Sequence, residues 1–182
     1  MPIYISMLRG INVGAHKRMK MDQLRASFEA LSFGQVKTYI QSGNVIFKTT
    51  KVSPALLSER IEKRIFADFG FPVSVLTRTA DEMAKAIEDN PLLKKRGIDQ
   101  EKLHVMFLSD APAAAALTKL AALTAAPDQS CCLGKEIYLY LPNGTAESSL
   151  MKNQLDRVLS VVTTTRNWRT VNALHKMCQE CR

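Results

Sequence analysis

The order in which strand and helix patterns follow one another constrains this chain most, because the same order of six elements occurs twice. Residues 3–8 alternate between two faces, as a strand does, and residues 21–31 place apolar side chains at helical spacing. Two short β-type runs, residues 36–41 and 45–49, flank the turn Ser42-Gly43-Asn44 and predict a hairpin.

A second helix is predicted after this hairpin. Ser53 suits its N-cap, Pro54 its first helical position, and Gly70 its end. Its apolar face is predicted to consist of Leu57, Ile61, Ile65, Phe66 and Phe69. A strand over residues 71–77 then completes the order β-α-β-β-α-β, which is the split βαβ pattern of a ferredoxin-like plait.

The same order is predicted again in the second half. A connecting helix begins at Thr79 and stops at Asn90-Pro91. The later elements are strands over 103–108, 129–133, 137–141 and 161–165 and helices over 112–123, 150–159 and 168–178. We therefore predict an α+β fold of two tandem ferredoxin-like (α/β-plait) subdomains that pack together. They span residues 1–79 and 80–182, the second with an extra C-terminal helix.

Basic residues are concentrated in the first half of the chain. Residues 1–79 hold 12 Lys and Arg against 5 Asp and Glu, which is +7 of the net charge of +8. This bias favours an anionic partner, although a basic chain can also simply be more soluble. No apolar run is long enough to span a bilayer, no secretion signal is present, and four cysteines do not indicate a disulfide scaffold. We expect a cytoplasmic protein without a membrane partner.

A basic loop, residues 9–20, separates the first strand from the first helix. Backbone N–H groups and the helix dipole favour negative charge at a glycine-containing turn before a helix, so we expect an anion there. The spacing of Gly10 and Gly14 lacks the ending of a P-loop. The basic side chains of the loop are Arg9, His16, Lys17, Arg18 and Lys20, and no acidic residue accompanies them.

The plait topology places a second turn, residues 41–44, at the same sheet edge as the basic loop. Arg9 offers a planar fork to phosphate or carboxylate, and amide side chains can orient a ligand by donating and accepting. In the alternative reading, the asparagines bond the turn backbone and the lysines are solvated. The predicted ligand-binding residues are Arg9, Gly10, Asn12, Gly14, Gln41, Ser42, Gly43 and Asn44.

Secondary candidates lie in the basic loop and near the last helix. Lys17 and Arg18 can add positive field, and Arg166 can bind an anion. Trp168 can stack on a ring, or it can be a structural anchor. Asn167 can bind a ligand or, like Thr165, cap the last helix.

No catalytic or metal-binding constellation is recognisable in the sequence. The three histidines are far apart, and no nucleophile stands at a known spacing from a base. Adjacent strand residues point to opposite faces, so Cys131 and Cys132 do not suit one metal centre with Cys178 and Cys181. No motif identifies a cofactor. Residues 42–49 lack the aromatic pattern of an RNA-recognition strand.

The motifs Leu-Arg-Gly-Ile-Asn-Val-Gly at residues 8–14, Tyr-Ile-Gln-Ser-Gly-Asn-Val at 39–45 and Thr-Arg-Asn-Trp at 165–168 resemble the domain-of-unknown-function family numbered 1697. The resemblance covers essentially the whole chain, and the family's members are mostly bacterial. It implies two α/β-plait subdomains and supplies no activity, cofactor or catalytic residue. Ala15 stands where a further glycine is common.

The leading hypothesis is an uncharacterised cytoplasmic protein that binds a small anionic or nucleotide-like ligand between residues 9–12 and 41–44. The first alternative is non-specific nucleic-acid binding through the basic N-terminal half. A protein-interaction module and an enzyme built from unfamiliar parts are further alternatives, so enzymatic activity and oligomeric state are left open.

Overall fold

The computed structural model describes residues 1–152 and 155–181. It is a mixed α+β structure with two four-stranded antiparallel sheets, as predicted at that level. The first sheet contains β1 (Ile3–Leu8), β2 (Gly34–Tyr39), β3 (Asn44–Lys48) and β4 (Val75–Thr79), in the order β2-β3-β1-β4. The second contains β5 (Leu103–Leu108), β6 (Gln129–Leu133), β7 (Glu136–Tyr140) and β8 (Thr163–Asn167), in the order β6-β7-β5-β8.

Seven α-helices lie within the described residues. They are α1 (Met21–Glu29), α2 (Pro54–Phe69), α3 (Ala80–Glu88), α4 (Ala114–Leu123), α5 (Ser149–Lys152), α6 (Leu155–Leu159) and α7 (Trp168–Glu180). Most bounds agree with the predicted ones to within three residues. The helix predicted over 150–159 is described as α5 and α6, and its residues 153 and 154 lie outside the described residues.

The chain divides into two compact units, Met1–Lys85 with Ala173–Arg182, and Ala86–Asn172. The division falls within α3 and within α7, so each of these helices contributes residues to both units. The subdomain boundary predicted after residue 79 stays a prediction.

In the first unit, β3 lies between β1 and β2 and is antiparallel to both. All six residues of β1 are buried, so side chains on both of its faces are withdrawn from water. A core cluster of this unit joins side chains of all four strands, α1 and α2. Its aromatic members are Tyr4, Phe28, Phe33 and Phe47 at its centre, with Phe69 and Phe71 at its margin.

Helix α2 begins and ends where the sequence predicts. The hydroxyl of Ser53 accepts from Leu56 N at 3.3 Å, and Gly70 ends the helix in the left-handed conformation. The prediction that Phe66 belongs to the buried face is wrong, because Phe66 is 56% exposed. The buried side chains, Leu57, Ile61 and Ile65, recur every four residues, and the next position is turned by about 100° around the helix axis.

The two strand-to-helix junctions at the ends of the sheets are capped in different ways. At the start of α3, Thr79 N donates to Glu82 Oε2 at 2.8 Å and Glu82 N donates to Thr79 Oγ1 at 3.1 Å, which is a capping box. At the start of α7, the side-chain oxygen of Asn167 accepts from Thr170 N at 2.8 Å. Both sequences therefore satisfy N–H groups that the first helical turn leaves without an intrahelical partner.

Asp68 of α2 accepts hydrogen bonds from a serine of α1 and from an arginine of its own helix. Ser27 Oγ donates to Asp68 Oδ2 at 2.6 Å, and Arg64 Nε donates to the same oxygen at 2.8 Å. These two hydrogen bonds, the one from Arg64 above all, lower the pKa of the Asp68 carboxyl. Asp68 therefore stabilises the folded chain in its ionised form.

We expect Asp68→Asn to reduce the free energy of unfolding at pH 7 by about 1 kcal/mol, since the pair is half-exposed and its energy is screened. Because the folded carboxyl has the lower pKa, this contribution is present above the ordinary aspartate value of about 3.9 and is lost as pH falls through the folded value. Urea denaturation of both proteins from pH 7 down to pH ~2.5 measures it. Equal stability at pH 7 would contradict the assignment, and Glu59→Gln, at a more exposed pair on the same helix, is the control.

Candidate functional site

The basic loop between β1 and α1 is an ordered hairpin. Val13 and His16 form an isolated antiparallel bridge, and Asn12 N donates to Lys17 O at 3.1 Å. Gly14 lies at the tip with φ +61°, a conformation that glycine adopts without strain. Residues 13–18 are all exposed, with Val13 70% exposed, so the tip of this hairpin projects into solvent.

The side chain of Asn12 fastens the two ends of the basic loop to each other and to the second turn. Its oxygen accepts from Met19 N at 2.8 Å, and its Nδ2 donates to Met19 O and to Gln41 O, both at 2.9 Å. Both amide hydrogens are thereby donated to backbone carbonyl groups. These contacts agree with the alternative in which Asn12 serves the turn backbone, and they do not suit Asn12 as a donor to a ligand.

The second turn, residues 41–44, lies against the end of β1, as the topology predicts. Leu8 N donates to Gly43 O at 2.8 Å. Asn44 is fully buried, and its Nδ2 donates to Tyr39 O and to Ser42 Oγ, both at 3.0 Å. The predicted ligand contact through the Asn44 side chain does not fit this burial, because a fully buried amide offers no surface to a ligand.

The end of β1 faces a cavity that the sequence did not predict. This cavity, here called the basic cleft, has a volume of about 570 Å³. Among the described residues, its wall includes three cations, of which two come from the basic loop and one from α2. The lining residues are Arg9, Gly10, Lys17, Glu62, Lys63, Phe66, Pro72, Val73 and Ser74.

Hydrogen bonds fix the backbone and side chains around the basic cleft. Lys17 Nζ donates to Pro72 O at 2.8 Å, and Arg9 N donates to Ser74 O at 2.9 Å. Glu62, the one carboxylate of the lining, accepts from Val75 N at 2.8 Å. The basic loop is thus bonded to the segment that leads from α2 into β4. The remaining cation, Lys63, lies on the exposed side of α2.

A second cavity, of about 630 Å³, lies at the start of α1. It is lined by Asn12, Arg18, Met19, Lys20, Met21, Asp22, Gln23 and Gln41. Of the predicted ligand-binding residues, Arg9 and Gly10 line the basic cleft, and Asn12 and Gln41 line the other cavity. The secondary candidates Lys17 and Arg18 are divided in the same way, Lys17 in the basic cleft and Arg18 in the other cavity. Gly14 lies at the exposed loop tip, and the lining of these two cavities does not include Ser42, Gly43 or Asn44.

The candidates near α7 have internal partners. Arg166 is buried, and its Nη1 donates to Thr164 Oγ1 and to Thr165 O, both at 2.9 Å. Burial lowers the pKa of Arg166 to about 10, so the guanidinium stays charged at neutral pH. Trp168 is also buried, and Asn167 caps the helix. These positions suit the structural alternative for Trp168 and do not present Arg166 to a ligand in solution.

The sequence did not predict Glu62, Lys63, Phe66 and the segment 72–74 as lining residues. They are distant from the basic loop in sequence, and no local motif marks them. One signal was available at Phe66, because the four-residue spacing of the buried stripe in α2 leaves this ring outside the stripe. A large aromatic side chain outside a helix's buried stripe can be predicted to face solvent.

No disulfide joins the four cysteines within the described residues. Cys178 and Cys181 are buried, and Cys131 and Cys132 are half-buried on β6. Burial raises the pKa of the Cys132 thiol. Over residues 1–152 and 155–181, no group of three or more His, Cys, Asp and Glu side chains is placed to hold a metal ion. In the same residues, no helix combines the length and apolarity needed to cross a membrane.

Comparison with known proteins confirms the family that the motifs indicated. The family model described as "Protein of unknown function (DUF1697)" matches residues 1–138, and the chain belongs to this family. A solved structure, the conserved bacterial protein SP0830 from Streptococcus pneumoniae, is similar with a TM-score of 0.77 and 22% identity. The similarity covers 97% of this chain and 98% of that one, and it concerns the fold alone. No curated protein sequence matches the chain.

We expect Gly43→Ala to destabilise the protein by about 3 kcal/mol, because a Cβ at this position is strained and also overlaps its neighbours. Gly43 has φ +76°, and the added atom would lie 2.6 Å from Ile11 Cδ1 and 2.8 Å from Leu8 Cβ. The matched control is Gly14→Ala, with φ +61° and nothing within 4 Å, which we expect to cost about 1 kcal/mol. Urea denaturation followed by circular dichroism measures both, and equal losses would show that the contact between the turns is unimportant.

Proposed function

We propose that this DUF1697 protein binds a small anionic ligand in the basic cleft. The observation that carries the proposal is that, among the described residues, three cations (Arg9, Lys17 and Lys63) and a single carboxylate (Glu62) line one cavity. Its volume of about 570 Å³ lies within the range of small-molecule sites. The sequence predicted a ligand between the two turns, whereas the proposal places it in the basic cleft, beside the basic loop and α2.

The three cations differ in what they can offer an anion. Arg9 carries a planar fork that matches two oxygens of a phosphate or carboxylate. The ammonium of Lys17 has three donors, and Pro72 O accepts one of them, so the charge is oriented while donors remain for a ligand. Lys63 pairs with Glu59 at 2.6 Å on the exposed side of α2, where a ligand oxygen can compete for it.

The proposal includes the finer description of the fold. We infer that each half of the chain, residues 1–79 and 80–182, is a ferredoxin-like plait. In support, the third strand of each sheet lies beside the first and second strands and is antiparallel to both. A cytoplasmic location, expected from the cysteine usage, is retained as part of the proposal.

We expect inorganic phosphate or pyrophosphate to raise the melting temperature in a thermal-shift titration. A ligand at 100 times its Kd adds about 2.7 kcal/mol, which corresponds to roughly 5–10 °C for a chain of this size. Arg9→Ala and Lys63→Ala should each weaken binding about tenfold or more, because each removes a charge-assisted contact.

The matched control is Arg18→Ala, an exposed loop arginine that lines the other cavity. We expect its affinity for the same anion to stay within about twofold of the unaltered protein, since Coulomb attraction between exposed, separated charges is screened. Absence of any stabilisation, or equal weakening by the Arg9 and Arg18 variants, would contradict the basic cleft as the site. Melting curves without ligand report whether each variant is folded.

A second candidate function, non-specific nucleic-acid binding, is favoured by the exposure of the basic loop. His16, Lys17, Arg18 and Lys20 are all exposed, and the first acidic residue of the chain is Asp22. Exposed cations in this density can contact successive phosphates without reading bases. This candidate uses the solvent-facing tip of the loop and not the interior of the basic cleft.

If this second candidate holds, we expect the binding constant for nucleic acid to fall with salt. The logarithm of the binding constant should fall by about 0.7 per tenfold increase in salt concentration for each phosphate contacted on a single strand. Fluorescence polarisation of a labelled oligonucleotide between ~50 and ~200 mM salt measures the slope. The double variant Arg18→Ala/Lys20→Ala should flatten the slope, whereas Lys94→Ala/Lys119→Ala, which removes two exposed lysines elsewhere, should not. No binding at ~50 mM salt would exclude the candidate.

A further inference from the structure

The exposed ring of Phe66 is a feature that anion binding alone does not explain. Phe66 is 56% exposed, whereas its neighbour Ile65 is fully buried in the core. A single exposed apolar residue on a protein surface is common and needs no special account. Phe66 differs because it lines the same cavity as Arg9, Lys17 and Lys63.

An aromatic ring and several cations in one cavity recognise a particular kind of molecule. The cations attract phosphate oxygens, and the face of an aromatic ring stacks on a planar heterocycle. Pro72 and Val73 line the cavity as well, so an apolar part of the wall accompanies its charged part. A cleft of about 570 Å³ is of the size that accommodates a whole small molecule, with room for a ring besides its anionic group.

We propose that the ligand of the basic cleft is a nucleoside phosphate, whose base stacks on Phe66 while Arg9, Lys17 and Lys63 bind its phosphate. This inference rests on the proposed anion binding and specifies the class of ligand. Pro72 and Ser74 line the same cavity, so they are available to contact the sugar. A phosphorylated compound without a planar ring would use only the cationic part of this wall.

Calorimetric titration of the full chain with a set of nucleoside monophosphates and with ribose 5-phosphate tests the inference, because the two kinds of compound differ by the base. We expect at least one nucleotide to bind about tenfold more tightly than ribose 5-phosphate, the size of effect that one base–aromatic stack produces. Phe66→Ala should abolish this preference and leave the affinity for ribose 5-phosphate unchanged. Phe66→Tyr, which retains a ring, should preserve the preference.

The matched control is Leu56→Ala, because Leu56 is 49% exposed on the same helix and does not line the cleft. Its nucleotide affinity should equal that of the unaltered protein. Equal affinity for nucleotides and ribose 5-phosphate in the unaltered protein would overturn the nucleotide inference while leaving anion binding intact. A preference that survives Phe66→Ala would overturn Phe66 as the stacking surface.

Two other results distinguish this inference from the proposals of anion binding and of nucleic-acid binding. If neither ribose 5-phosphate, nucleotides nor pyrophosphate binds, anion binding in the basic cleft itself fails. If a short single-stranded oligonucleotide binds and no mononucleotide does, a free nucleotide is excluded as the ligand. The ring of Phe66 would then stack on a base of a nucleic-acid strand. Circular dichroism of the Phe66 variants shows that loss of preference is not loss of fold.

Discussion

The three side-chain hydrogen bonds of Asn12 are the interaction on which the candidate site depends. Two join it to Met19, at the other end of the basic loop, and the third joins it to the backbone of Gln41 in the neighbouring turn. A loop of twelve residues, 9–20, would otherwise be open between β1 and α1. Because these hydrogen bonds close the loop, Arg9 and Lys17 both reach the basic cleft although they are eight positions apart in the sequence.

The two units differ in their first strand-to-helix link and in the residues that cap the helix after their last strand. The link from β1 to α1 is the basic loop, whereas the corresponding link from β5 to α4 has only the five residues 109–113. The caps differ too, since Thr79 and Glu82 each accept from the other's backbone N–H, whereas Asn167 accepts from Thr170 N. Yet Thr79 pairs with the second residue of β1 and Asn167 with the second residue of β5. In both units, therefore, the residue opposite the second residue of the first strand caps the N–H groups at the start of the following helix. The long loop after the first strand is found in the first unit and not in the second.

Local sequence patterns are the reason that so much of the fold could be predicted. The predicted bounds of β1, β5 and β6 agree with the structure to the residue, and Ser53 and Gly70 mark the start and end of α2 by their backbone chemistry. The neighbourhood of the two turns also followed from strand order. These features depend on local residue spacing or on strand order, and both can be derived from a single sequence.

The composition of the site could be predicted only in part, because side-chain direction depends on contacts distant in sequence. Arg9 and Lys17, which line the basic cleft, were identified from the basic loop, but the side-chain amides of Asn12 and Asn44 donate to backbone carbonyls. Lys63 and Phe66 come from α2, more than 40 residues beyond the loop, so no window around Arg9 contains them. The wall that completes a cleft is a property of the tertiary structure.

The bond from Lys17 to the carbonyl of Pro72 has a consequence for the entropy of association. It ties the basic loop to the segment before β4, and the bridge between Val13 and His16 orders the loop internally. A flexible loop would lose conformational freedom on closing around a ligand, and that loss would subtract from affinity. Here the backbone is already in place, so only the ends of a few long side chains need to be immobilised. Preorganisation of this kind lets a small ligand bind with modest contact area.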